Sequence, residues 1–337
     1  MTYQLESTSN LILNKHEFNK KNKKSYNICY GVDNNFILGC GISITSILIR
    51  NRNLDFTFNV FVDKVNNEQL LKFKELAEKY DTSIIIYTIN CAHINTLPTT
   101  KNWSIATYFR FIIADYFIGV EDYILYIDAD IMCKGDITEL LSYNLTNTVA
   151  AAVLDVDTTL WKSRAIALDC KKLEHGYFNA GLLWINLNEW RNENVTTKAL
   201  SLLSDKKMAG KLSYLDQDVL NIILIDKVRF IDLKYNTHFS INYELNKSHT
   251  NPVNNTTVLV HYVGPTKPWH SWAVNYDSSI YFRLAKNESP WRNTLLLKPE
   301  SSSNTRYCAK HCFNQRKYLS ATKYYLKYFY LKLLKSK

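Results

Sequence analysis

Asp128 and Asp130, separated only by Ala129, close an apolar run, Tyr123-Ile-Leu-Tyr-Ile127, that reads as a buried strand. A strand repeats every two residues, so an extended backbone turns both carboxylates to the same side. In open α/β sheets, ligands bind in the crevice outside the carboxyl ends of the strands. Two unpaired anions there repel each other and are costly to desolvate. Mg²⁺ and Mn²⁺ favour oxygen ligands, and Mg²⁺ is usually held by one or two carboxylates plus substrate phosphates. The pair therefore points to a metal–diphosphate site; the bland alternative is a solvated strand end.

Other polar residues stand at comparable junctions. His261 ends the Val258–Val260 run and offers an imidazole to the same metal, or is an ordinary partly buried histidine. Lys267, three residues after Gly264, is a point charge suited to phosphate. Asp216 and Gln217 form a polar pair at the start of a helix. Asp33-Asn34-Asn35 follows the strand from Tyr26 and offers groups to a base or ribose, or equally an Asx-type turn. Gly39-x-Gly41 is no dinucleotide fingerprint, since Ile44 replaces the third glycine. Cys308, His311 and Cys312 lack a second ligand pair and are not read as a zinc site.

These residues need a scaffold. Strands at 26–32, 56–62, 83–89, 123–127, 150–156, 176–186 and 258–261 are interleaved with helical patterns at 38–50, 67–80 and 104–117. That alternation argues for an α/β fold, a parallel sheet with helices on both faces. Residues 1–25 read as a loose leader, 26–275 as the main domain, and 276–337 as an extension that begins where Asn, Ser, Pro and Glu accumulate. The segment 318–337 reads as an imperfectly amphipathic Tyr/Leu/Lys helix able to lie on a membrane.

Composition narrows the class. With 46% hydrophobic and 21% charged residues among 337, the chain affords a packed core, which excludes global disorder. Between Lys298 and Lys337, ten Lys or Arg face one acid, Glu300, so nearly all of the formal charge of +10 sits in the tail. A basic tail on a neutral body suits an anionic surface better than nucleic acid. Seven Cys without a CxxC pair favour a reducing cytosol. No signal peptide and no transmembrane helix are visible.

Taken in order, Tyr123–Asp130, Gly176–Asn186, Tyr214–Leu220 and His261–Trp269 resemble the family 8 glycosyltransferases, retaining enzymes of the GT-A fold that use UDP-sugars and Mn²⁺. Two long matches, Thr99–Arg110 and His261–His270, strengthen the resemblance, which runs from about Tyr26 to Trp272. Ser289-Pro-Trp291 and the tail are similar to the C-terminal extension of the lipopolysaccharide core branch, most closely its α-1,3-glucosyltransferases from enteric bacteria.

The resemblance implies a mixed GT-A sheet flanked by helices, with a small helical C-terminal extension. It implies Asp128, Asp130 and His261 as ligands of Mn²⁺ or Mg²⁺. Gly31, Asp33 and Asn35 would surround uracil and ribose, and Gly264 and Lys267 the diphosphate. Arg110, Asp155, Asn179, Asp216 and Gln217 would surround the donor sugar. Trp103, next to Asn102, stands where a galactosyltransferase relative carries His, which leaves the donor open. The implied reaction moves glucose from UDP-glucose in α-1,3 linkage onto a lipopolysaccharide core acceptor at the cytoplasmic face of the inner membrane. UDP-galactose or an α-1,2 linkage would be variants of it. Two readings from other classes are a nucleotidyl- or phosphotransferase using the same acids, and a non-catalytic module for anionic glycolipid.

Overall fold

The computed structural model describes residues 8–21, 23–100, 103–246 and 248–334. Asn102, Lys335 and Lys337 lie outside the described residues. The strands are β1 (Ile12–Phe18), β2 (Tyr26–Val32), β3 (Phe56–Val62), β4 (Ser83–Ile89), β5 (Tyr123–Ile127), β6 (Ile131–Cys133), β7 (Ala150–Leu154), β8 (Phe178–Asn186), β9 (Val228–Phe230), β10 (Thr237–His238) and β11 (Leu259–His261). Eight of them form a sheet in the order β1-β4-β3-β2-β5-β8-β7-β9, and β10-β11-β6 form a second sheet.

The parallel block β4-β3-β2-β5 matches the expectation from alternating strands and helices. The rest of the sheet corrects it. β8 inserts antiparallel between β5 and β7, and β1 pairs antiparallel with β4. Alternating hydrophobicity marks a strand but carries no direction, so the mixed character was not readable from periodicity. The supposed loose leader also needs correction, because β1 covers the edge of β4.

The residues of β5 divide between two cores. Leu125 and Ile127 face one apolar cluster, which receives the helix Ile37–Arg50; Ile124 and Tyr126 face the other, which receives the helix Phe109–Phe117. This is the strand alternation in practice, and it clamps β5 between two helical layers. The helix Ile37–Arg50 reaches the next strand as well. Ser43 Oγ donates to the Ile131 carbonyl at 2.6 Å, and Ser46 Oγ accepts the Cys133 N–H at 2.8 Å. β6, which follows the Asp128–Asp130 segment, is thus held to this helix by buried polar contacts.

The C-terminal extension consists of the helices Ile280–Asn287, Ser302–Asn314 and Tyr318–Leu334. No helix among the described residues is long and apolar enough to cross a membrane.

Candidate active site

β5 stops at Ile127. The Asp128 N–H still donates to the Gly181 carbonyl of β8 at 2.8 Å, but the chain then turns, and the Ile131 N–H closes the turn on the Asp128 carbonyl at 3.1 Å. The two carboxylates therefore converge through a turn, not through an extended two-residue repeat. β11 runs antiparallel to β6 with His261 opposite Ile131, which carries the imidazole to the same turn from far along the chain. Ligand atoms of Asp128, Asp130 and His261 lie within 4.8 Å of one another.

Three observations test whether these residues fit a divalent ion. Asp130 Oδ1 is buried and 3.1 Å from His261 Nε2, yet it receives no hydrogen bond, as expected for two lone-pair donors that share a cation. His261 Nδ1 is engaged by Asn236 Oδ1 at 2.9 Å, the outer contact typical of a metal-binding histidine. A methyl group on Gly181 would come within 2.5 Å of His261 Cε1 and 2.8 Å of Asp128 Oδ2, so the glycine keeps this space open. Two carboxylates and an imidazole suit Mn²⁺, and the site fits such an ion.

Cations flank the acids. Lys267 Nζ pairs with Asp130 Oδ2 and also donates to the Tyr262 carbonyl at 2.8 Å. Burial alone would raise the Asp130 pKa; Lys267 overturns that effect and holds the carboxyl well below the usual range. Arg110, buried on the helix Phe109–Phe117, reaches Asp128 Oδ1 at 3.3 Å and Asp216 Oδ2 at 3.0 Å. Asp216 Oδ1 accepts from the Thr107 hydroxyl. Burial pushes the Asp216 pKa up to about 6 against the pull of Arg110. Tyr126 completes this side, its hydroxyl donating to Asp128 Oδ1 at 3.0 Å.

The expected sugar-facing residues gather on the other flank. Gln217 Oε1 accepts from Asn179 Nδ2 and from the Ala180 N–H, both at 3.1 Å. Asp155 follows β7, and its Oδ2 is 4.0 Å from His238 Nδ1. The segment that presents Asp216 and Gln217 is held from below. Asp218 receives Arg164 Nε and Nη2 at 2.9 and 2.8 Å, the Tyr177 hydroxyl at 2.7 Å and the Tyr214 N–H at 2.8 Å. Between them Leu215 sits at φ 45°, a conformation that a bulky residue adopts only when its surroundings impose it.

At the neighbouring strand end, Asp33 accepts the Asn35 N–H at 2.9 Å, the Asx turn expected as one alternative, and the Ser104 hydroxyl at 2.7 Å. A Cβ on Gly31 would lie 2.8 Å from Phe109 Cβ and 3.6 Å from the Tyr126 hydroxyl, so Gly31 borders the Asp128 support. Gly264 takes φ 85°, which suits a residue without a side chain. Gly39 and Gly41 lie inside the helix Ile37–Arg50, packed against Trp269 and Trp291, so they are packing glycines. Sequence reasoning did not single out Thr107, Tyr126, Arg164 or Asn236. Each is an unremarkable residue in its own segment and gains meaning only from what lies across the fold.

A carboxylate turn, an imidazole and flanking cations thus meet at strand ends in an arrangement able to hold a divalent cation, and comparison gives the chain a family. The family model "Glycosyl transferase family 8" matches residues 27–273, and its C-terminal companion matches 276–332. The chain belongs to glycosyl transferase family 8. It is 50% identical over 310 residues to the lipopolysaccharide 1,3-galactosyltransferase of Salmonella typhimurium, covering 92% of each chain. It is 46% identical over 307 residues to the lipopolysaccharide glucosyltransferase WaaO of Escherichia coli K12, covering 91% of each. The crystal structure of the galactosyltransferase LgtC superposes with a TM-score of 0.66 at 22% identity, covering 80% of this chain and all of that one. The fold is GT-A.

Proposed function

We propose that this protein transfers a hexose from a UDP-sugar, with retention of configuration, to a hexose of the lipopolysaccharide outer core. The observation that supports it most is the convergence of Asp128, Asp130 and His261 beside Lys267, in a chain so similar to two lipopolysaccharide glycosyltransferases. An α-1,3 linkage is the reading for the bond formed. Glucose is the donor sugar by the sequence resemblance and by likeness to WaaO; galactose is the second reading, favoured by the Salmonella relative.

A divalent ion bound by Asp128, Asp130 and His261 would supply Lewis-acid stabilisation of the charge on the departing diphosphate. Lys267 adds a positive charge to the same oxygens, with Gly264 leaving room for the backbone to approach them. Gly31, Asp33 and Asn35 take the uracil and ribose, and Asp155, Asn179 and Gln217 the donor sugar. Retention by double displacement needs a free nucleophile on the sugar. Of the pair at the helix start, Asp216 has both oxygens taken, by Arg110 and Thr107, and Gln217, a poor nucleophile, has its Oε1 accepting two hydrogen bonds. Front-face attack is therefore the better reading: the acceptor hydroxyl adds on the face that UDP leaves, and its proton passes to the leaving phosphate. Arg110 binds Asp128 and Asp216 together, and so keeps the metal side and the sugar side in register.

The deciding assay incubates a truncated lipopolysaccharide core acceptor and Mn²⁺ with UDP-glucose and UDP-galactose side by side. The expected result is UDP release matched by an α-linked hexosyl acceptor from one donor. A nucleotidylated product, or acceptor binding without UDP release, would overturn the proposal.

A further inference from the structure

We propose that Asn236, the buried partner of His261 Nδ1, positions the metal-binding histidine by passing on to it the direction that β8 imposes on a chain of side-chain amides. The inference rests on the reading of Asp128, Asp130 and His261 as a metal site.

Proton bookkeeping along the chain has one solution. Backbone N–H groups can only donate, and two of them, at Ala180 and Gly181 of β8, set the direction. The Gly181 N–H points at Asn179 from 3.0 Å, so the atom there is the Asn179 oxygen. The same oxygen faces an Asn236 side-chain atom at 3.0 Å, which must be its NH₂. The other end of Asn236 is then its oxygen, and the His261 Nδ1 that meets it at 2.9 Å must carry the proton. In a neutral imidazole that leaves Nε2 as a bare lone pair, and Nε2 is the nitrogen facing Asp130.

The chain also runs the other way. With its oxygen on Gly181, Asn179 presents its NH₂ to Gln217. The Ala180 N–H makes the same demand, so Gln217 is anchored by its oxygen and offers N–H donors. Asn236 is thus the link through which β8 sets the metal-ready tautomer of His261, while Gln217 takes its direction from Ala180 and Asn179. It is fully buried, so water does not readily replace it.

Three variants are compared with the parent: N236A, N236D and, as a control on the metal reading, D130N. Free Mn²⁺ is measured by electron paramagnetic resonance, and the His261 tautomer by ¹⁵N NMR of labelled protein. Turnover of UDP-hexose is measured at saturating Mn²⁺. The parent is expected to bind Mn²⁺ with His261 protonated at Nδ1. N236A should lose about 10–100-fold in Mn²⁺ affinity, the usual cost of removing such an outer contact, and show mixed tautomers. N236D still accepts the Nδ1 proton, so it should keep Mn²⁺ affinity, yet turn over at least tenfold more slowly because a carboxylate has no N–H for Asn179. Mn²⁺ affinity within twofold of the parent in N236A, or full turnover in N236D, overturns the role of Asn236. If the parent and D130N bind Mn²⁺ equally, the metal reading itself fails.

Discussion

A single methyl group probes the metal pocket at the residue scale. In G181A the new Cβ would sit 2.5 Å from His261 Cε1, 2.8 Å from Asp128 Oδ2 and 2.9 Å from Asn179 Oδ1, closer than real Cβ contacts come. The variant should fold, because β8 is held by neighbours on both sides, but lose at least about tenfold in Mn²⁺ affinity by calorimetry. Unchanged affinity would show that the ion sits elsewhere. Asp128, Asp130, His261 and Lys267 were legible as candidates because each stands at or just beyond the end of an apolar run. Gly181 was legible only as one residue of the strand at 176–186. Asn236 and Tyr126 were not legible, since an Asn after a Tyr and a Tyr within a strand have common structural uses. Asp216 was legible as a polar helix start, but its commitment to Arg110 depends on a helix about a hundred residues away.

The helix Phe109–Phe117 shows how an element divides its duties. Arg110 near its start supports the site, whereas Asp115 near its end lies among apolar neighbours, bonded to the Thr196 hydroxyl at 2.6 Å. Burial pushes the Asp115 carboxyl up to about 6. A carboxyl raised in the folded state binds a proton that the unfolded chain has released, so its charge costs stability as pH rises from about 4 to about 6. D115N removes that dependence. The stability of D115N relative to the parent should therefore improve by about 1–2 kcal/mol between pH 4.5 and pH 7.5 in urea unfolding; a difference independent of pH would contradict the assignment. β2 to β5, β7, β8 and β11 and the helices near 38–50, 67–80 and 104–117 were legible from their periodicity, with boundaries near those observed, whereas β1 and the short β6, β9 and β10 were not. The direction of β8 and the edge role of β1 were not, because hydrogen-bond partners across a sheet leave no mark on local pattern. The strained turn at Leu215 was equally hidden: a leucine gives no sign of positive φ, which is imposed by the buried Asp218–Arg164 contacts around it.

At the scale of the whole molecule, the extension joins the catalytic body to a basic, apolar surface. His311 and Thr266 meet on Asn242 Oδ1 at 3.0 and 2.7 Å, so the helix Ser302–Asn314 braces the loop that carries Lys267. Beyond it, Leu319, Leu326, Tyr330 and Leu333 recur at one-face spacing on the helix Tyr318–Leu334 and are exposed, while Ala321 faces inward. Membrane contact through this face is our reading, with each nearby lysine adding about 1 kcal/mol at an anionic surface. Removing residues 318–337 should release the protein from anionic vesicles in sedimentation while changing turnover of a soluble acceptor by no more than about twofold; equal loss of both would count against docking. The central claim concerns the ion, and diffraction can locate it directly. Crystals grown with MnCl₂ and UDP should give an anomalous peak bonded to Asp128, Asp130 and His261 Nε2, with the UDP phosphates on its open side. A peak bound by other residues, or UDP seated with no metal between it and the two aspartates, would contradict the account.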